Sequence, residues 1–472
     1  MRVVKNYLYN MSYQILLLVL PLVTGPYVSR ALGPSGVGIN SYTYTIANWF
    51  VLLGSIGVAY YGNRQIAYVR NDQKELSINF WEILLMRTAT IIGAFIFFLV
   101  YVVTIGSYKQ YQLVQSSYIV AAGLDISWFF MGIEDFKKTV LRNTIVKVIS
   151  LAAILLFVKN QNDLYEYILI LALSTIIGNI TLWPFLKNIL VPVKIKDLHP
   201  FRHFKGSLAL FFPLAAIQIY ANLNKVMLGY LDSTNASGFY DKSDVIVKTV
   251  LTLATSLGTV LMPHTAKIFS EGKSGQVKNL LYKSFGFISF ISIPLAFGLA
   301  AISFKFGPFF YGNGFGPVGT GMFIESFVII FISWASVTGN QYLVPTNQVS
   351  AYTKSVFVGA AVNLVLNIPL IKYMGLNGAI IATVCSELSV TLYQILAMRN
   401  QISYKKLFCD FHKYLFAGIL MFVPTFFMNI KLKFSFPALI LEIITGAVIY
   451  IISILILRPK ILSDLKSFIK NR

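Results

Sequence analysis

The sequence has few acidic residues, cysteines and histidines, and these shortages exclude several classes of protein. Its 472 residues include 18 acidic and 39 basic ones, for a formal net charge of +21. Cys385 and Cys409 form neither a CxxC pair nor a Cys/His cluster, so neither a disulfide framework nor a zinc site is indicated. The four histidines form no His/Asp/Glu catalytic cluster, which disfavours a membrane enzyme. No GxxxxGK[ST] phosphate-binding loop occurs, so we expect no built-in ATP motor, no cofactor and no metal.

Hydrophobic residues dominate what remains. They make up 56% of the chain, charged residues only 12%, and the mean hydropathy is +0.70. A soluble protein averages about 45–50% apolar and about 25% charged residues, so a soluble globular fold is excluded. Apolar runs near the length of about 20 residues that crosses a bilayer recur along the chain, from 9–29 to 434–457. They predict an all-α integral membrane protein with about 14 transmembrane helices.

The distribution of basic residues predicts the orientation of these helices. A basic excess is often a sign of nucleic-acid binding, but here the connections between spans carry it, so we expect no nucleic-acid partner. With the N-terminus inside, 27 Lys and Arg fall on the inner side and seven on the outer side. Because basic residues are enriched in cytoplasmic connections, both termini should be cytoplasmic and the protein should be multi-pass in a plasma membrane.

Three separated blocks resemble the bacterial polysaccharide repeat-unit flippases. They are TGPYVSRALGPSGVG at 24–38 with FVLLGSIG at 50–57, NKVMLG at 224–229 with GFY at 238–240, and GLNGAIIAT at 375–383. The resemblance covers nearly the whole chain. It implies the multidrug/oligosaccharidyl-lipid/polysaccharide exporter fold, a plasma-membrane location in a bacterium and no enzymatic activity.

That fold consists of two six-helix lobes in a pseudo-two-fold arrangement around a central cavity. The resemblance places the lobes at 1–190 and 206–400, two additional helices at 412–457 and a basic cytoplasmic tail at 458–472. In the related lipid II flippases the extra helices form a groove for the lipid tail, and the pair at 412–457 could do the same. Asn224 stands where an acidic residue is frequent in the family, so a cation-coupling role is not carried over to it.

The implied substrate is a polyprenyl-diphosphate-linked oligosaccharide for capsular or exopolysaccharide synthesis, moved from the cytoplasmic to the outer leaflet by alternating access. Its anionic head group requires a polar, cationic path through the hydrocarbon. Charges inside spans cost about 2.5–3.5 kcal/mol on insertion scales and therefore normally face a protein interior. We expect five cations to bind the head group: Arg30, Arg64, Lys225, Lys242 and Lys248. Alternatively, Arg30 and Arg64 are interfacial anchors, the stem of Lys225 extends outward, and Lys248 only pairs with Asp244 one helical turn away.

Three acidic residues are candidates for ion coupling or charge pairing: Asp125, Asp244 and Glu387. For Asp125 the alternative is a purely structural pair with Lys147. Arg87 is expected to anchor the protein to lipid at the cytoplasmic edge. The aromatic side chains of the second span, Tyr42, Tyr44, Trp49, Tyr60 and Tyr61, are mostly explained by an interfacial belt.

Other functions remain open. The cargo could be a teichoic acid precursor, and a multidrug or cation antiporter of the same superfamily is a further alternative, although it would favour carboxylates over lysines at its site. A membrane glycosyltransferase would need an outside catalytic loop, which is not prominent. Besides the bilayer and the lipid-linked oligosaccharide, a polysaccharide polymerase and glycosyltransferases are candidate partners.

Overall fold

A computed structural model describes residues 2–255 and 265–462, and in these ranges the chain forms helices and no strand. His264, the end of the span predicted at 238–262 and most of the basic tail at 458–472 lie outside the described residues. The helices of the first half are α1 (Arg2–Ser55), α2 (Val58–Val69), α3 (Gln73–Thr104), α4 (Lys109–Leu124), α5 (Ser127–Gly132), α6 (Phe136–Phe157), α7 (Leu164–Ile180), α8 (Phe204–Leu231) and α9 (Thr234–Thr255).

The second half contains α10 (Ser274–Tyr311), α11 (Gly316–Glu325), α12 (Val328–Ala335), α13 (Val349–Ala397), α14 (Tyr404–Leu407), α15 (Phe411–Lys431) and α16 (Phe436–Leu457). A π-helical segment, Ser336–Leu343, continues α12. Short 3₁₀ helices lie before and after α7 and lead into α8: Gln161–Asp163, Trp183–Asn188, Ile195–Asp197 and Pro200–His203.

Nine helical segments in the described residues are long and apolar enough to cross a membrane, or ten if the bent pair α11–α12 counts as one span. This confirms an all-α membrane protein, at a lower count than the 14 helices predicted. Part of the difference arises because two long helices each contain a sharp break at a glycine with positive φ, Gly33 in α1 (φ 65°) and Gly375 in α13 (φ 53°). A side chain is disfavoured in that backbone region.

The break at Gly375 is also sterically constrained. A Cβ added there would lie 2.6 Å from a carboxylate oxygen of Asp232, and this carboxylate accepts a hydrogen bond from the backbone N–H of Leu376. The residue that follows α8 therefore holds the bend of α13 in place.

The chain divides into two compact units, 1–229 and 230–472. In the first unit, aromatic and aliphatic side chains of α2, α3 and α5 pack around Phe80, Trp128 and Phe129, and Gly229 near the end of α8 lies against the ring of Tyr42. In the second unit, α10 packs against α11 and α15, and α15 against α16.

Large apolar side chains are exposed along the candidate spans in both units. Phe97 and Val103 of α3 and Ile456 of α16 each expose 70% or more of their surface. In water such faces would favour aggregation, but in a bilayer they contact lipid. Buried polar side chains such as Asn363, Asn367 and Gln394 instead lie inside the second unit.

Candidate functional site

Arg30 lies in a cavity of about 460 Å³ in the first unit, together with a second cation, Lys159. The wall includes Tyr27, whose hydroxyl donates to the carbonyl oxygen of Val158 at 2.8 Å and thereby joins α1 to the end of α6. Arg30 itself is exposed and stands three residues before the break at Gly33. This end of the first predicted span therefore has two cations in one recess, which suits an anion better than a single cation would.

The other two predicted cations of the first unit lie elsewhere. Arg64 on α2 is exposed, and its guanidinium carbon stands 5.7 Å from the centre of the Tyr61 ring, a cation–π distance. Lys225 on α8 is half-buried next to the fully buried Asn224.

Two predicted cations of the second unit lie on α9. Lys242 is largely buried, its Nζ is 3.9 Å from Asp241 Oδ2 and 5.7 Å from the centre of the Tyr311 ring, so its charge is partly compensated. Lys248 is about half exposed, and its Nζ lies 2.8 and 2.9 Å from the two carboxylate oxygens of Asp244. The intrahelical Asp244–Lys248 pair weighed from the sequence is therefore present.

Asp244 also contacts a second carboxyl group, that of Glu325 at the end of α11. Glu325 is 1% exposed, its side chain hydrogen-bonds with those of Asp244 and Ser243, and its Oε2 has no hydrogen-bond partner. A Cβ on Gly321, one turn earlier on the same face of α11, would lie 3.1 Å from Ser243 Oγ, so the two helices pack closely here.

This contact determines how many protons the carboxyl pair holds. An ionised carboxylate only accepts hydrogen bonds, so a hydrogen bond between two carboxyl groups needs a proton on one of them. The ammonium of Lys248 lies against the Asp244 carboxylate of this pair, at 2.8 Å. The sequence analysis missed Glu325, although a lone carboxylate within a predicted span was the signal that could have found it.

Two expectations about the first unit are wrong. Arg87 is not a lipid anchor: it is 4% exposed, its Nη1 donates to the carbonyl oxygen of Asp125 at 2.6 Å, and its Nη2 lies 3.8 Å from Asp125 Oδ2. Asp125 therefore pairs with Arg87 and not with Lys147, and its Oδ1 also accepts from the backbone N–H of Ser127. The reason is the packing of α3 against the end of α4, which buries the guanidinium inside the protein. The third acidic candidate, Glu387, is half-buried on α13.

A second buried carboxylate was also missed from the sequence. Glu82 on α3 is fully buried; its Oε2 bonds to His203 Nε2 at 2.8 Å and to Arg202 Nη2 at 2.6 Å, and its Oε1 accepts from the backbone N–H of His199 at 2.7 Å. The hydroxyl of Tyr61 bonds to the other ring nitrogen of His203 at 2.9 Å. These hydrogen bonds hold the connection that precedes α8 against α2 and α3.

Burial has the largest influence on the pKa of His203, which lies in a connection outside the spans. Loss of hydration lowers the pKa of His203, although its hydrogen bond with Glu82 and the negative charge of Glu82 oppose this. Within the described ranges, no group of three or more His, Cys, Asp or Glu side chains is placed to hold a metal ion.

The fold and its apolar helices define a multi-pass membrane protein. The structure superposes on that of the lipid II flippase MurJ in an inward closed conformation with a TM-score of 0.76, at 16% identity over 95% of this chain and 98% of that one. It also superposes on an inward-facing multidrug resistance MATE family transporter of the MOP superfamily with a TM-score of 0.62, at 12% identity over 84% of this chain and 97% of that one.

The family follows from the sequence comparison. The family model described as polysaccharide biosynthesis protein matches residues 3–269, more than half of the chain. The chain belongs to this family, which confirms the resemblance seen in the sequence. A protein described as an O-antigen transporter in Escherichia coli (strain K12) is 23% identical over 81% of this chain and 93% of its own length. These relatives are transporters and flippases and not enzymes.

Proposed function

We propose that the protein moves a polyprenyl-diphosphate-linked oligosaccharide repeat unit from the cytoplasmic to the outer leaflet of a bacterial plasma membrane by alternating access, for capsular or exopolysaccharide synthesis. The family match over 3–269 carries this proposal, and the likeness of the fold to a lipid II flippase supports it. The proposal includes the fourteen-helix arrangement in two six-helix lobes with two additional helices, and a polymerase and glycosyltransferases as partners in the same pathway.

The cations of the two units supply the chemistry. In the first unit, Arg30, with Lys159 in the same cavity, Arg64 and Lys225 would contact the diphosphate in turn; in the second unit Lys242 and Lys248 would do so. Lys242 and Lys248 are already partly balanced by Asp241 and Asp244, which lowers their capacity to bind a further anion. A charged hydrogen bond of this kind contributes about 1.5–3 kcal/mol.

The membrane potential would drive export. A potential that is negative inside favours outward movement of an anionic head group by about 2.3 kcal/mol per charge per 100 mV if the charge crosses the whole field. We therefore expect the rate of flipping in vesicles to respond to an imposed potential.

The test uses purified protein in vesicles and a fluorescent polyprenyl-diphosphate oligosaccharide whose exposure is read by a membrane-impermeant quencher. Arg30→Glu and Lys225→Glu should each abolish most flipping, because like charges in a low-dielectric path repel strongly. Arg30→Lys and Lys225→Arg keep the charge and should retain most of the rate. Each variant is first shown to be monodisperse with wild-type helicity.

The matched control is Lys431→Gln, an exposed residue at the end of α15, which should flip at the wild-type rate. Well-folded Arg30→Glu and Lys225→Glu proteins that flip normally would refute the cationic path while leaving the family assignment in place.

The orientation is tested separately. In a protein whose Cys385 and Cys409 are replaced by serine, single cysteines at positions 74 and 194 should resist a membrane-impermeant thiol reagent added to intact cells. Labelling of either from outside would invert the proposed topology.

A second candidate, a cation- or proton-coupled antiporter, is favoured by one observation, the carboxyl pair Asp244–Glu325 inside the second unit. A teichoic acid precursor would be carried by the same mechanism as a repeat unit. Transport that ignores the membrane potential but requires a cation or proton gradient would favour antiport and make this pair, before Asp125 or Glu387, the coupling site.

A further inference from the structure

A cavity of about 740 Å³ lies in the second unit where α10, α14 and α15 meet the residues after α16. Four lysines line it: Lys283, Lys405, Lys406 and Lys460. All four belong to segments that the distribution of basic residues assigns to the cytoplasmic side. The cavity is therefore a basic recess at one end of the candidate spans.

The single acidic residue of the lining, Asp410, does not neutralise Lys405 or Lys406. Asp410 places its Oδ1 2.8 Å from the Nζ of Lys413, and its Oδ2 accepts a hydrogen bond from the backbone N–H of Lys460 at 2.8 Å. Both oxygens are thus engaged, one by a cation that is not among the lining residues. Within the described parts of the chain, Lys405 and Lys406 have no ion-pair partner. The recess keeps an excess of positive charge.

The segment that carries Lys405 and Lys406 is held in place. The backbone N–H of Ser403 donates to the hydroxyl of Tyr282 at 2.8 Å, the side chain of Leu407 is buried, and the ring of Phe408 stands 5.2 Å from that of Phe285. A binding site whose wall is already ordered loses less conformational entropy when a ligand enters.

The recess is apolar on its other side. Phe411 and Tyr414, on the first turn of α15, line it together with Ile461, and the Tyr414 side chain is buried. The positive end of the α15 dipole points to the same place. Basic pockets between transmembrane helices on the cytoplasmic side suit phosphate-bearing lipid head groups, because lysines meet the phosphate while the chain stays in the bilayer.

We propose that this recess binds the phosphate of a lipid head group in the cytoplasmic leaflet, through Lys405 and Lys406 with Lys283 and Lys460 completing the cationic wall. The ligand is either a bulk anionic phospholipid or a polyprenyl diphosphate, which present the same phosphate chemistry. The inference does not rest on the proposed function, since anionic phospholipids are available to any protein of that leaflet.

Cys409 provides a reporter, because it is exposed and lines the recess. The protein, with Cys385→Ser, is placed in nanodiscs of phosphatidylcholine alone, of phosphatidylcholine with phosphatidylglycerol, or of phosphatidylcholine with a low fraction of polyprenyl diphosphate. An uncharged maleimide then modifies Cys409. A lipid at about four times its dissociation constant should slow modification about fivefold.

The double variant Lys405→Gln/Lys406→Gln should lose most of this protection. The matched control, Lys267→Gln/Lys278→Gln, removes the same charge from one exposed and one half-buried position of the same predicted side that do not line the recess, and should keep the protection. Anionic lipid lowers the pH at the membrane surface and so slows modification of any thiol there. The control shows how much of the slowing comes from this effect.

Protection by phosphatidylglycerol identifies a bulk phospholipid as the ligand, and protection by polyprenyl diphosphate at low fraction identifies the lipid-linked ligand; either supports the site. Protection by neither lipid, or equal protection in the wild type and in Lys405→Gln/Lys406→Gln, would overturn the proposal. Retained lipid counted by native mass spectrometry gives a second readout that does not depend on the cysteine.

Discussion

Glu82 in the first unit and Glu325, one of two buried glutamates in the described part of the second unit, have different hydrogen-bond environments. Glu82 in the first unit is fully buried, and both of its oxygens accept hydrogen bonds, from His203, Arg202 and a backbone N–H. Glu325 in the second unit is equally buried, yet its Oε2 has no partner and its side chain contacts another carboxyl group, that of Asp244.

This difference separates a structural charge from a functional candidate. A carboxylate with both oxygens engaged by donors is held in its charged form and offers little to a ligand, and removing it leaves several donors unpaired. A carboxyl group that is incompletely bonded can take up or release a proton at small structural cost. We therefore assign Glu82 to fastening the connection before α8, and Glu325 with Asp244 to the chemistry of the second unit.

The largest expected effect comes from Glu82→Ala. His203 and the backbone N–H of His199 would lose their acceptor inside the protein, and breaking a buried charge network in this way costs about 3–5 kcal/mol. The free energy of unfolding in mixed micelles, followed by circular dichroism during a titration with SDS, measures it. Glu75→Ala, an exposed residue on the same helix, should cost less than about 1 kcal/mol. Equal losses in the two variants would contradict a structural role for Glu82.

The sequence predicted the helical class, the family and the pairs within one helix. Asp244 and Lys248 are four residues apart, so helical geometry alone brings them together. Arg87 and Asp125 are on different helices, as are Asp244 and Glu325, and such contacts depend on how helices pack, which spacing along the chain does not reveal. Glu82 and Glu325 also lie near the ends of predicted spans, where a charge is readily explained by exposure to the interface.

A smaller loss is expected for Arg87→Gln. The variant removes a buried charged hydrogen bond to the carbonyl oxygen of Asp125 and the ion pair with its carboxylate. The free energy of unfolding should fall by about 1.5–3 kcal/mol. The control is Arg70→Gln, because Arg70 pairs with Glu134 at the surface, where such pairs contribute about 0–1 kcal/mol. The same unfolding titration compares the two variants. An Arg87→Gln protein as stable as the wild type would contradict a structural role for this ion pair.

The pH dependence of stability tests the Glu82 network through a smaller change in the free energy of unfolding. Because burial lowers the pKa of His203 below its ordinary value of 6.5, the unfolded chain binds a proton more readily than the folded one as the pH falls below about 6.5. Stability should then decline toward acid, down to the pKa of the folded state, by at most about 1.4 kcal/mol per pH unit.

His203→Gln removes this titration and should flatten the profile between about pH 7.5 and 5.5, since the imidazole no longer binds a proton in either state. His412→Gln, an exposed residue on α15, should leave the wild-type profile unchanged. Identical slopes for the wild type and His203→Gln would show that the imidazole is not held in its neutral form.

The smallest expected change in stability, and the sharpest contrast with Glu82, comes from Glu325→Gln. If the Asp244–Glu325 pair already holds one proton, the amide replaces a neutral carboxyl group, donates to Asp244 in its place and leaves the charge of the cluster unchanged. We expect a cost below about 1 kcal/mol near neutral pH, comparable with that of one neutral hydrogen bond. Asp244→Asn should lower the free energy of unfolding more, because it removes the anion that lies 2.8 Å from Lys248.

Transport by Glu325→Gln should also lose any dependence on pH that the pair confers, since the amide does not titrate. A loss of stability as large as that of Glu82→Ala would show instead that Glu325 is an ionised, fully bonded structural residue, and the distinction between Glu82 and Glu325 would fail.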